Sequence, residues 1–220
     1  ADLLSLRDLL AAAARDHGDA HAMHFAPMDP ESSTFHALLT GLRANDWIPF
    51  RFFCFGNWFL RVEGNWEDYL RQRSANLRSA IRRRGKRFAA DGGTLHIVTN
   101  PEHVENSIAE FQAIYSASWK KPEPYPDFVP ALIRRLASMG MLRLGIARLG
   151  EHTIAAQLWI VDRQKASIYK VAYHEQFASY SPGTVLTAHL LQHVIDKDRV
   201  REVDFLIGDD PYKRMWMSDR

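Results

Sequence analysis

Residues 166–196 restrict what this chain can fold into more than any other stretch. Ala166–Tyr173 reads as a strand, the loop after it ends in Ser181-Pro182-Gly183-Thr184, and an apolar helix runs on to Asp196. A strand that delivers the chain to a small-residue turn at a helix N-terminus makes an anion site. Unpaired N–H groups and the positive end of the helix dipole meet at one point there. Pro182 sets φ at the approach, Gly183 lets a ligand come close to the main chain, and Thr184 is expected to cap the helix.

The residues around this turn read as sheet and helix in regular order. Three strands precede it as a meander, at 142–149, 153–161 and 166–173, and a strand at 202–207 follows it. Before the meander come a strand at 94–98, a helix opened by Asn100-Pro101, a loop with three prolines over 120–126, and a short helix begun by Asp127. Residues 94–220 therefore read as one sheet domain. Residues 63–93 read as a linking helix that Asn65 caps, with Trp66, Leu70, Leu77, Ile81 and Phe88 on one stripe. Its other faces carry eight Lys or Arg between residues 71 and 87 and no acid. Helices at 1–15 and 33–43, with strands at 20–26, 47–55 and 58–62, form a partial N-terminal αβ lobe over 1–62. The chain begins with Ala rather than Met, and native termini are expected to be missing.

Composition narrows the class. The 220 residues are 46% hydrophobic and 25% charged, ordinary for a globular chain. No apolar run approaches the roughly 20 residues of a membrane-spanning helix, and no secretory signal opens the chain. One cysteine, Cys54, fits a reducing compartment, so a cytoplasmic setting is expected, with Cys54 as core in an aromatic strand. Net charge is only +2, so the basic helix is a local feature rather than a general affinity for nucleic acid.

From residue 94 the order is strand, helix, helix, three antiparallel strands, glycine turn, helix, strand. This order, with the basic helix Arg73–Phe88, Ser118-Trp119-Lys120, Ile154-Ala155-Ala156-Gln157-Leu158, Tyr169–Tyr173, the 181–184 turn and Asp204–Lys213, resembles the GNAT acyltransferase superfamily. More narrowly it is similar to the branch related to Fem-type peptidoglycan aminoacyltransferases, which includes bacterial polysaccharide- and cellulose-biosynthesis acetyltransferases. The likeness covers roughly residues 66–216. It implies an α/β fold: a GNAT-like mixed, mostly antiparallel sheet flanked by helices, preceded by a partial second GNAT-like lobe. It also implies an N-acyltransferase that takes an acyl group from acyl-CoA, acetyl-CoA first, without a metal. The acceptor would be an amine on a small molecule or glycan precursor of the cell envelope. Fem-type relatives use aminoacyl-tRNA, so a tRNA ester donor stays open, as does a non-catalytic binder of anionic partners. The GNAT pyrophosphate signature has two glycine-type positions, and Tyr180-Ser181-Pro182-Gly183-Thr184 has one glycine.

On this resemblance the donor's phosphates would sit on Ser181, Pro182, Gly183 and Thr184, and its carbonyl beside Val171, Ala172 and Tyr173. His174 follows the third meander strand and suits deprotonation of an amine, though a solvated loop histidine has the same signature. Asp204 interrupts an apolar strand, where a carboxylate is costly unless paired or used. Tyr212 and Lys213 lie in the loop after that strand, where open α/β sheets place ligands; a salt-bridged turn fits them equally. Arg78, Arg82 and Lys86 of the basic helix are candidates for phosphate or acceptor binding, and Trp119 for an acceptor groove with Tyr125 and Trp216. His189 and His193 have the spacing of metal ligands but no third partner, so they read as structural.

Overall fold

The computed structural model describes residues 3–16 and 21–220. Six strands share one sheet: β1 (Asn57–Arg61), β2 (Gly93–Val98), β3 (Leu142–Leu149), β4 (His152–Asp162), β5 (Lys165–Tyr173) and β6 (Glu202–Ile207). They lie in the order β1-β6-β5-β4-β3-β2. The meander β3–β4–β5 is antiparallel, and Arg163 and Gln164 turn its second hairpin with φ of 44° and 67°, the left-handed pair that two-residue hairpin loops use. β5 and β6 run parallel, joined by a helical crossover. The fold is thus the mixed, mostly antiparallel α/β sheet that the element order implies.

Helices cover both faces. α7 (Pro182–Asp196) crosses from β5 to β6 and packs with α3 (Trp66–Arg71) and α4 (Ala75–Ala90) on one side, around Trp159, Ile168, Leu186, Leu190 and Val203. α5 (Val104–Ser116) and α6 (Phe128–Ser138) bury Ile108, Phe111 and Ile133 against Leu144, Ile146 and Leu158 on the other. α7 sits close because Gly145 of β3 has no side chain: a Cβ there would lie 2.7 Å from Leu190 Cδ1. A short helix, α8 (Lys213–Trp216), ends the chain's regular structure.

Two stretches differ from the sequence expectation. The basic helix is not continuous, since Ser74 caps a new helix by accepting the N–H of Leu77, and Arg73 turns inward to the Trp216 carbonyl. Strand 57–61, expected to belong to the first lobe, is instead the sheet edge beside β6. The chain divides into two compact units, residues 1–55 and 56–220. In the first, α1 (Leu3–Asp16) and α2 (Ser33–Arg43) pack through Leu10, Leu38 and Leu42. No strand forms among the described residues of 20–26 or 47–55. Ile48, Phe50, Phe52 and Phe53 are exposed there without a ladder partner, and Cys54 is exposed rather than core.

Candidate active site

β5 and β6 pair over three residues, Lys165↔Glu202, Ala166↔Val203 and Ser167↔Asp204, and then part. Beyond Ser167 the β6-facing edge of β5 has no strand partner among the described residues. Two irregularities open this wedge. In β6 the register against β1 slips between Asp204 and Ile207, where Leu206 turns left-handed with φ of 55°. In β5 the register against β4 slips by one residue at Tyr169, so that Tyr169 and Lys170 both lean toward the α5 side. Bulges of this kind bend a strand and re-aim its side chains.

A carboxylate holds the first irregularity. Asp204 Oδ1 accepts from the Leu206 N–H at 2.7 Å and from Asn57 Nδ2 at 2.9 Å, while Oδ2 meets Lys165 Nζ at 2.6 Å. The costly buried acid that the sequence flags is therefore paired, and it ties β1, β5 and β6 together at the point of the wedge.

The wedge holds a cavity of about 190 Å³ lined by Tyr115, Lys120, Tyr169, Lys170, Val171, Phe205, Ile207, Asp210, Tyr212 and Lys213. Lys213 is 4% exposed, and its Nζ donates to the carbonyls of Ile207 at 2.8 Å, Gly208 at 3.2 Å and Phe205 at 3.3 Å. Those three bonds use the three N–H donors of an ammonium. Burial lowers the Lys213 pKa against the pull of Asp210 and Asp204. Tyr212 is 41% exposed overall, but its ring packs edge-on against Phe205 at 5.6 Å. Burial, with Asp210 adding to it, pushes the Tyr212 hydroxyl up to about 12. On the opposite wall Lys170 bonds Glu123 and lies over the rings of Tyr115 and Tyr169, each at 5.4 Å. Burial, the largest influence, opposes the Lys170 charge, yet its pKa is raised because the Glu123 bond and the attraction of Tyr115, Glu123 and Tyr169 together outweigh that cost.

At the open end of β5 stands the N-terminus of α7. Its N-cap is Ser181, left-handed with φ of 50°, and no side chain caps the helix. Thr184, expected as the cap, is instead inside the first turn. The first backbone bond runs from Val185 N–H to Ser181 C=O at 3.2 Å, which leaves the N–H groups of Gly183 and Thr184 free for another acceptor. Arg84 of α4 reaches the turn, with Nη1 3.4 Å from Thr184 Oγ1, and Arg87 lies 4.8 Å over the Tyr180 ring. Gln157, 1% exposed in β4, fixes the turn from below. Its Nε2 donates to Gly183 O at 3.1 Å and Thr187 Oγ1 at 2.9 Å, and its Oε1 accepts from Trp159 Nε1 at 2.9 Å.

The remaining candidates fall as follows. Val171 faces the wedge cavity, Ala172 is buried on the α5 side, and the Tyr173 ring lies 4.7 Å from that of Trp119 and close to Gly183. His174 opens the turn after β5; its Nδ1 accepts from Gln176 N–H at 3.4 Å and its ring meets Phe177 at 5.6 Å. Asp204 lies opposite Ser167, seven residues back along β5, about 20 Å at strand rise. His174 and Asp204 therefore do not share a proton through one water. Arg78 bonds the carbonyls of Arg71 and Arg73, and Arg82 and Lys86 are exposed. Trp119 is 49% and Tyr125 74% exposed, whereas Trp216 is core. Burial lowers the pKa of both His189 and His193.

Sequence reasoning missed Arg84, Gln157 and the Lys170–Glu123 pair. Gln157 carried a signal, a lone amide inside an apolar strand. Arg84 carried none, because the helical stripe does not tell which of eight cations turns toward α7.

Parallel strands that part beside an uncapped crossover-helix N-terminus leave an open cleft with an anion-binding end. The family described as "Acetyltransferase (GNAT) domain" matches residues 75–214, and the chain belongs to it: it is an acyltransferase of the GNAT family. Among solved structures the chain is similar to FemX, with a TM-score of 0.69, 13% identity, and coverage of 98% of this chain and 74% of that one. It is also similar to a conserved protein of unknown function from Bacteroides thetaiotaomicron, with a TM-score of 0.56, 13% identity, and coverage of 96% and 71%. No match is found among curated protein sequences. Among the described residues no helix is long and apolar enough to cross a membrane.

Proposed function

We propose that this chain moves an acyl group from acyl-CoA, acetyl-CoA in the first instance, to an amine on a cytoplasmic, phosphate- or sugar-bearing precursor of a bacterial envelope polysaccharide. The observation that carries the reading is the α7 N-terminus, with two free N–H groups, no side-chain cap and Arg84 beside it, at the open end of the wedge. The donor's pyrophosphate sits there. Its pantetheine arm lies along the unpaired edge of β5, past Tyr173 and Val171, and brings the thioester to the cavity at Tyr169–Lys170.

The amine attacks the thioester carbonyl, a tetrahedral oxyanion forms, and the C–S bond breaks as the amine loses its proton. Main-chain N–H groups of the unpaired β5 edge stabilise the oxyanion. Tyr212, protonated in the resting site, delivers its proton to the leaving thiolate, and the phenolate so formed takes up the proton that the amine sheds, so CoA leaves as the thiol and the phenol is restored. Lys213 shapes the site through the β6 carbonyls and adds positive potential. Asp204 positions the strands. His174 lies at the phosphate end of the groove, and Trp119 walls the acceptor side.

A second reading, an aminoacyl-tRNA donor of the Fem type, draws on the fold likeness to FemX and the single glycine of the 181–184 turn. Calorimetric titration with CoA and acetyl-CoA separates the two. Saturable binding of both, weakened by Arg84→Ala, supports the CoA donor; no binding of either ends that version.

A further inference from the structure

A second cavity, of about 450 Å³, lies on the other side of α8 and is lined by Gln72, Arg73, Ser74, Pro211, Arg214, Met215, Met217 and Ser218. No carboxylate is among the described residues that line it. Its charged side chains are both cations, Arg73 and Arg214, and its two hydroxyls can donate. Ser74 is the N-cap of the 16-residue helix α4, and the first backbone bond there is Arg78 N–H to Ser74 C=O at 3.1 Å. The N–H groups of Ala75 and Asn76 thus have no helical acceptor. Ser74 Oγ accepts from the Leu77 N–H and Ser218 Oγ accepts from Arg73 Nη2, so each hydroxyl keeps its own hydrogen for a ligand.

Two guanidiniums complete the corner. Arg73 is 8% exposed and spends Nη1 on the Trp216 carbonyl at 3.1 Å, while its Nε–H is buried with no acceptor among the described residues. Arg214 is exposed at the mouth. Arg73 lies 4.9 Å over the Tyr69 ring and has no carboxylate partner among the described residues, so its charge and the α4 N-terminus of the same sign both favour an anion. The opposite wall is apolar, formed by Pro211, Met215 and Met217.

We propose that this cavity is an oxyanion site for a phosphate ester, separate from the donor turn at α7. The phosphoryl oxygens take the Ser74 and Ser218 hydroxyls, the α4 N-terminus and both guanidiniums, and the organic group lies on the two methionines. The segment that builds it also builds the wedge: Pro211, Arg214 and Met215 line this cavity, and Tyr212 and Lys213 between them line the other. A phosphate held here therefore fixes the segment that carries two acyl-site residues, as a phosphorylated acceptor or effector would.

The test is calorimetric titration of the whole chain with phenyl phosphate and with inorganic phosphate, comparing wild type, Arg214→Ala, Arg214→Glu and Arg84→Ala. We expect saturable phenyl phosphate binding, tighter than inorganic phosphate, retained in Arg84→Ala, weakened about tenfold in Arg214→Ala and abolished in Arg214→Glu. Arg214 is exposed, so neither of its variants threatens folding. Absence of saturable binding, binding indifferent to Arg214, or loss only in Arg84→Ala would each overturn the site. None of these outcomes depends on whether acyl-CoA is the donor.

Discussion

Asp204 Oδ1 takes the backbone N–H of Leu206 at 2.7 Å, two residues further along a strand that bends at Leu206 with φ of 55°. A left-handed leucine costs about 1–2 kcal/mol by itself, so something must hold it there. The same carboxylate holds Asn57 of β1 and Lys165 of β5. One buried acid thus stabilises the bend that separates β6 from β5, and the cleft proposed for acyl transfer exists because the two strands separate. With three donors on its oxygens, Asp204 has little left to offer a substrate proton.

Replacing Asp204 by Ala leaves Lys165, Asn57 and the Leu206 N–H without their acceptor. Lys165 has a side chain 43% exposed and recovers water, so the loss is about 2–4 kcal/mol rather than the full cost of a deeply buried charge. Asp204→Asn keeps an acceptor for Leu206 and costs roughly 1–2 kcal/mol. Urea unfolding measures both. Kinetically, Asp204→Asn raises the KM for acyl-CoA and leaves the shape of the pH–rate profile unchanged. A profile that loses its acidic limb while stability stays intact would make Asp204 the base and sink the positioning role.

Gln157→Leu removes the partner of two buried groups, the Thr187 hydroxyl and the Trp159 N–H, and the side-chain bond to the part-buried Gly183 carbonyl. Each unpaired buried group costs about 1–3 kcal/mol, with Thr187 able to rotate toward another acceptor. We expect a stability loss of about 3 kcal/mol and weaker CoA binding from a less rigid first turn of α7. Glu at the same position restores the acceptor for Trp159 but not the donor to Gly183, so its CoA affinity stays low. Thermal melts with and without CoA read both effects.

The sheet and its crossover helix were legible because their signals are local: hairpin turns, a small-residue turn before a helix, and apolar strands of the right length. The small-residue turn before α7 was legible for the same reason, although Thr184, expected to cap the helix, lies inside its first turn. What failed were features that depend on a partner. Residues 47–55 have strand composition, yet among the described residues no strand offers them a ladder, and propensity alone does not make a sheet. The break at Arg73–Ser74 hides in a good helical stripe, since it arises from an inward Arg that bonds Trp216, 143 residues away. Asp204 was flagged as costly, but its use as a clamp follows from Lys165 and Asn57, which are adjacent only in the folded sheet.

Arg84→Ala removes the α4 cation that contacts Thr184 in the turn proposed to hold the donor's pyrophosphate. A charge-assisted contact to phosphate contributes about 1.5–3 kcal/mol, so CoA affinity falls about tenfold or more, and more steeply at low salt. Pantetheine, which lacks the pyrophosphate, binds Arg84→Ala and wild type alike. Arg82→Ala, at an exposed position, changes neither. Equal losses for CoA and pantetheine would mean that Arg84 acts through folding and not through the phosphate.

Glu123 and Lys170 tie the loop after α5 to β5 beside the bulge. Burial works against the Glu123 charge, but the bonds from Lys170 and Tyr115 hold its pKa below the ordinary 4.5. A folded pKa below the unfolded one means that the unfolded chain binds the extra proton, so the stabilisation is complete above pH 4.5 and is lost as pH falls through the folded value. Glu123→Gln should therefore lower stability by about 1 kcal/mol or less at neutral pH. The gap to wild type should close below pH 4.5. Denaturation midpoints at several pH values give the comparison, and a gap that widens in acid would assign the pair the wrong sign.

Tyr212 tests the chemistry of the wedge. Its hydroxyl is pushed up to about 12 by burial and by Asp210, so it stays protonated wherever the enzyme can be assayed. As the donor to a leaving thiolate it acts late, after the thioester is bound. Tyr212→Phe should then lower kcat by about 10²–10⁴-fold, the typical range for one proton-transfer group, with the KM for acyl-CoA nearly unchanged. The wild-type profile should show no alkaline fall from Tyr212 deprotonation below about pH 10. The variant should recover rate on acyl donors with a more acidic leaving group, such as an aryl thioester, because such a group departs without help. Equal losses on both donor types would remove Tyr212 from the proton path and leave the cavity's other hydroxyls, Tyr115 and Tyr169, to supply it.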